Sequence, residues 1–256
     1  MDFFTSVYSG YSNRLRGILT LERRQAVYSE PYRLNWVKTS LVSCGLKDIL
    51  QNDITQTDQF GNVLTHRLCL DTTDDLTGFC PRHSNPEQRF VDLEYERVPQ
   101  TVRDAYAPYF KWLKFHPYVE EKANKIVESF GEALPIGVHY RNAGDWDAIR
   151  RGCPYHVYFD AIDSLPKEMP IYLIVHKEEF SDLFKKRYGD RVALQPNKEY
   201  DVSKTQHTQD VAVESLVLSK LKLAVADFKS TFAETSWWIG EHKLNVTRIN
   251  KREICK

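Results

Sequence analysis

The chain has 256 residues, 42% hydrophobic and 27% charged, an ordinary globular balance with enough apolar material for one large domain or two small ones. Lysine plus arginine equals aspartate plus glutamate at 35 each, so no global field draws the protein onto nucleic acid or an anionic membrane, and any phosphate site must be local. The five cysteines form no CxxC pair and no zinc-spaced cluster and read as buried or neutral thiols in a reducing compartment; neither a signal peptide nor a spanning segment is visible, which points to the cytoplasm or to a trimmed chain.

In chain order, Phe3 to Tyr8 reads as a strand, Ser9 to Asn13 as a turn with a capping residue, Arg14 to Tyr28 as a helix and Leu34 to Val37 as a second strand, together one β-α-β unit. Gln51 to Asn85 is polar and reads as loops around a strand near Val63 to Leu70. Two helices follow, from about Val98 to Phe115 and from about Pro117 to Phe130, and Gly131 ends the second. A boundary is expected there, giving domains of residues 1–131 and 132–256. The second part alternates more regularly. Leu134 to His139, Ile171 to Val175, Val192 to Leu194 and Leu221 to Ala226 are short apolar strands. Helices Glu178 to Tyr188 and Gln209 to Lys220 lie between them, and a last helix opens at Ser230-Thr231. Strands alternating with helices of this length imply a parallel sheet covered on both faces.

Three clusters carry candidate chemistry. In Gly10-Tyr11-Ser12-Asn13-Arg14, glycine lets the backbone turn tightly towards a ligand, and Asn13 and Arg14 can hydrogen-bond a sugar or phosphate; a plain strand-to-helix turn is the alternative. In His139-Tyr140-Arg141-Asn142-Ala143-Gly144-Asp145-Trp146-Asp147, at the C-terminal end of a strand, Arg141 offers a planar fork for phosphate oxygens and Asp145 or Asp147 can take a proton from an attacking hydroxyl. A surface loop with salt bridges would have the same composition. In the third cluster Asp210 opens a helix, either reading the edge of a base or merely capping, and Ser230, Thr231 and Phe232 open another, whose hydroxyls and free amides can cradle a diphosphate or only cap. No two histidines sit at metal-ligand spacing, and GxGxxG, P-loop, GxSxG and HExxH motifs are missing.

Together, and in this order, the clusters resemble the GT-B superfamily that holds the α1,2-, α1,6- and protein O-fucosyltransferases. Gly10 to Arg16 is similar to that family's opening G-x-x-N-(R/Q) segment, Ile136 to Arg141 to its H-x-R-R-x-D strand end, and Asp210 with Ser230-Thr231-Phe232 to its third motif. Asn142 stands where the family has a second arginine, and Ala233 where it often has serine. The resemblance implies an α/β, GT-B-like fold: an N-terminal Rossmann-like acceptor-side domain and a C-terminal nucleotide-sugar domain, facing a central cleft. It implies an inverting glycosyltransferase that moves L-fucose from GDP-fucose to a glycan hydroxyl, without a cofactor or metal ion. It implies donor contacts from Gly10, Asn13, Arg14, His139, Arg141, Asp210, Ser230, Thr231 and Phe232, with Arg141 on the β-phosphate and Asp147, then Asp145, as base. The rival readings are another nucleotide sugar on the same fold, as in a xylosyl- or rhamnosyltransferase, and a non-catalytic nucleotide- or carbohydrate-binding module.

Overall fold

The alternating apolar segments fold into two parallel sheets, each in its own unit. A computed structural model describes residues 2–6, 10–64, 68–69, 90–91, 98, 100–141, 154–227 and 230–249. Residues 1–117 and 202–212 cluster as unit 1, and residues 118–201 and 213–256 as unit 2. The division at 117/118 lies ahead of the expected 131/132, so nearly all of the second N-terminal helix belongs with unit 2.

Unit 1 begins with β1 (Asp2–Thr5), α1 (Tyr11–Tyr28), β2 (Tyr32–Asn35) and β3 (Asn62–Val63), in the sheet order β2-β1-β3 with every pair parallel. The first half of α1 is buried almost all round, with Leu15, Ile18 and Leu19 fully enclosed. Ser29, in the left-handed conformation at φ 55°, ends it by returning its N–H to the Gln25 carbonyl. Just before β3, a Cβ on Gly61 would lie 2.1 Å from the Phe3 carbonyl oxygen, so only glycine lets the chain pass β1 there. β4 (Leu68–Cys69) and β5 (Phe90–Val91) form an antiparallel ribbon, and α2 (Gln100–Trp112) buries Val102, Tyr106 and Phe110. A late stretch of chain completes this unit. Ser43 N–H donates to Thr208 Oγ1 at 3.0 Å, Ser43 Oγ–H to the Lys204 carbonyl at 2.5 Å, and Gln209 Nε2–H to the Asp48 carbonyl at 2.9 Å.

Unit 2 contains α3 (Pro117–Ser129), β6 (Ile136–Tyr140), α4 (Tyr155–Asp163), β7 (Ile171–Val175), α5 (Ser181–Tyr188), β8 (Val192–Ala193), α6 (Thr205–Ser219, whose first part clusters with unit 1), β9 (Leu223–Asp227), α7 (Thr231–Ile239) and β10 (Asn245–Ile249). Its five-stranded sheet runs β10-β9-β6-β7-β8, all parallel. The order reverses between β6 and β9, the arrangement of a dinucleotide-type half. Every residue of β7 is buried, as expected of a strand covered on both faces. Gly137 lets α6 lie close on β6, since a Cβ there would meet Leu218 Cδ1 at 2.3 Å. Tyr140, Tyr158, Phe159 and Phe184 pack edge-to-face in the core beneath the strand ends.

Most predicted elements are present, with shifted ends. α6 begins at Thr205 and not Gln209, while α4 and β10 have no counterpart among the elements expected from sequence.

Candidate functional site

In an open parallel sheet, ligands bind beyond the carboxyl ends of the strands, at the point where strand order reverses. Here that point lies between β6 and β9. Strand alternation sends Val138 and Tyr140 into the core and puts Gly137 and His139 on the other face, and Arg141 follows directly after the strand. His139 reaches across the reversal: its Nδ1 is 2.9 Å from Ser230 Oγ, and its ring stacks on Phe232 with centroids 4.6 Å apart. Ser230 caps α7, its Oγ accepting from the Ala233 N–H at 3.1 Å. Four expected residues, His139, Ser230, Thr231 and Phe232, are therefore brought together, and Arg141 follows at the exposed end of β6. Burial, reinforced by the positive charges of Arg141 and Lys198 and by His176, pushes the His139 ring down to about 3. The imidazole is thus neutral at any working pH. The Ser230 hydroxyl, expected to hold phosphate, accepts from the Ala233 N–H and meets the His139 imidazole.

A buried ion pair beside this cluster escapes the sequence reading. Lys198 Nζ donates to Glu214 Oε1 at 2.6 Å and to the Val175 carbonyl at 2.5 Å, and lies 5.0 Å from the Tyr200 ring centroid. Both side chains are almost fully enclosed, 3% and 4% exposed. The pair ties the C-terminal end of β7 to the loop after β8 and to α6. Its signal in sequence is Glu214 inside the apolar run Val213 to Val217: a carboxylate on a helix buried all round requires a partner.

The remaining described candidates belong to unit 1. Gly10 is the N-cap of α1, at φ −71° and ψ 175°, ordinary extended backbone, and a Cβ added there would have nothing within 4 Å. Glycine is therefore not demanded there by conformation, contrary to expectation. Asn13 Oδ1 is buried and accepts no hydrogen bond among the described residues. Arg14, expected as a donor contact, has internal partners in the structure. Its guanidinium is fully buried; it donates to the Val37 carbonyl at 2.7 Å and Thr39 Oγ1 at 3.0 Å, and packs 4.9 Å from the Trp36 ring centroid. Burial lowers it to about 10, which leaves it protonated at neutral pH. Nearby, burial pushes the Cys44 thiol up to about 12, so this cysteine is neutral. Asp210, expected to open its helix, lies instead in the second turn of α6, fully buried, and Gln206 Nε2–H approaches its Oδ2 at 3.4 Å. Because α6 starts five residues earlier, at Thr205, Asp210 is not its cap. Asp145 and Asp147 lie outside the described residues. Among the described residues no group of three or more His, Cys, Asp or Glu side chains is arranged to hold a metal ion, and no helix is long and apolar enough to cross a membrane.

No protein-family model matches the chain, and no curated protein matches it. Solved structures do. One is the fucosyltransferase NodZ from Bradyrhizobium, at 12% identity and a TM-score of 0.60, covering 98% of this chain and 95% of that one. The α-1,6-fucosyltransferase NodZ soaked with GDP-fucose gives 12% and 0.58 over 93% of this chain and 92% of that one. An Arg-to-Lys variant of FUT1 from Arabidopsis thaliana, in complex with GDP, gives 12% and 0.55 over 98% and 71%. POFUT1 in its apo form gives 11% and 0.51 over 97% of each chain. At such identities the likeness establishes the fold, that of the GT-B-like fucosyltransferases, with the α/β architecture the sequence resemblance implied.

Proposed function

We propose that the protein is an inverting glycosyltransferase that moves a sugar, L-fucose, from GDP-fucose to a glycan hydroxyl without a metal ion. The observation that carries this reading is the pairing of His139 with Ser230 across the strand-order reversal, with Arg141 at the end of the same strand. A diphosphate placed there meets the first amides of α7, a neutral imidazole and a guanidinium. When the bond from the anomeric carbon to the diphosphate breaks, negative charge grows on the departing oxygen. Arg141 and the helix start favour that charge more than the ground state, which lowers the barrier. The acceptor hydroxyl attacks the opposite face of the carbon, and its proton passes to a carboxylate, Asp147 or Asp145. The fold's solved counterparts that contain GDP or GDP-fucose support a guanine nucleotide as donor.

GDP should raise the melting temperature of the full chain in the presence of EDTA, and GDP-fucose should be hydrolysed slowly or transferred to a glycan. A shift by UDP and not by GDP would reassign the donor; loss of the GDP shift in EDTA would remove metal independence.

A further inference from the structure

The hydroxyl of Ser230 has one hydrogen, and the hydrogen bonds around it decide where that hydrogen goes. The Ala233 N–H already donates to Oγ at 3.1 Å. The contact of 2.9 Å to His139 Nδ1 needs one further hydrogen, from either side. Were Nδ1–H the donor, Oγ would accept twice and its own hydrogen would need another acceptor. Ser230 is 3% exposed, and Oγ makes only these two bonds among the described residues. Among the described residues, Nδ1 is the acceptor that this arrangement leaves for the hydroxyl hydrogen. A neutral ring that accepts at Nδ1 carries its proton on Nε2. Phe232 stacks against the ring and holds its plane.

We propose that Ser230 is a positioning residue: it fixes His139 as the Nε2–H tautomer and so makes the imidazole a neutral, single-direction hydrogen-bond donor for a phosphoryl or sugar oxygen at the end of β6. The ligand in this statement rests on the function proposed above; the tautomer does not. A neutral donor adds no proton for an anionic ligand to take up, so donor binding through it stays constant with pH. With its hydrogen committed to Nδ1, the Ser230 hydroxyl has none left to give a phosphate oxygen. This is why the amides of α7, and not this side chain, are the groups available to a diphosphate.

The test is long-range ¹H–¹⁵N correlation of the full chain labelled at histidine, with His139 identified by the signal missing in His139→Gln. The expected pattern is a bare Nδ1 and a protonated Nε2, unchanged from pH 5 to pH 8. Ser230→Ala should give a mixture of tautomers and weaken GDP about fivefold, the size of one neutral hydrogen bond. Ser230→Thr, which keeps the hydroxyl and the cap, should restore both. A protonated Nδ1 in the wild-type chain overturns the proposal even if Ser230→Ala fails to fold, and so does wild-type GDP affinity in Ser230→Ala. A chain that shows the expected tautomer but binds no GDP keeps the positioning role and removes the donor reading alone.

Discussion

The start of α1 in unit 1 and the start of α7 in unit 2 are made of the same parts, a parallel strand, a short connection and a helix N-terminus, and they use polar side chains in opposite ways. In unit 1, Arg14 turns inward and stitches α1 to the segment after β2, through the Val37 carbonyl and Thr39. In unit 2, His139 and Ser230 engage each other while Arg141 ends its strand exposed. A basic residue in a strand-to-helix segment can thus be taken up by internal partners. Position decides. Arg14 shares the buried face of α1 with Ile18 and Leu21, four and seven residues on, whereas Arg141 has left the last turn of pleat that the core encloses.

Exchanging the two arginines for neutral residues is the strongest way to break this contrast. Arg141→Ala should lower transfer about a hundred- to a thousandfold and leave the melting temperature unchanged. Arg14→Met should do the reverse, lowering stability by about 2–3 kcal/mol in chemical denaturation because the Val37 carbonyl and Thr39 Oγ1 lose their donor. Near-normal turnover in Arg141→Ala would end the comparison. Lys198→Met should cost about 3–5 kcal/mol by removing the ammonium paired with the enclosed Glu214 carboxylate, and adding Glu214→Leu should recover most of that loss. A further test is titration. His139 is depressed to about 3 in the fold from an ordinary value near 6.5. Between those values the unfolded chain takes up a proton that the folded chain does not, so stability falls as pH drops below 6.5 and is fully present above it. His139→Asn should give a shallower acid-side fall by denaturation at stepped pH; an unchanged slope would show the ring is not held neutral. The smallest effect is expected at Gly10, where alanine fits the backbone and open space. Gly10→Ala should stay within about 0.5 kcal/mol of wild type, and a large loss of GDP affinity in that variant would place a ligand against it.

How far the sequence can be read follows from the same physics. β7 is plain because a strand covered on both faces is a continuous apolar run, Ile171 to Val175. β10 is not, because at the sheet edge its residues alternate between exposed and buried around polar Asn245, Thr247 and Arg248. The start of α6 is misplaced in the sequence reading because Thr205 to Thr208 is polar, and Thr208 finds a partner in Ser43, far away in sequence. The His139 strand end and the Ser230 cap are legible as motifs, since strand-end and cap positions have local signatures. Their joining is not, since 91 residues separate them. The Lys198–Glu214 pair is hidden for the same reason, and the inward turn of Arg14 is not legible because a motif carries residue types without saying which way a side chain turns.

The discontinuous make-up of unit 1 has a consequence for how the chain matures on the ribosome. Ser43 and Asp48 emerge early, but the partners that close bonds to them, Lys204, Thr208 and Gln209, are translated some 160 positions later. Vectorial, N-terminus-first maturation is therefore unfinished for this half until β6, β7 and β8 have already been synthesised, with β9 and β10 still to come. A stalled or truncated nascent chain ending near residue 200 would present the Ser43 and Asp48 acceptor and donor groups to chaperones.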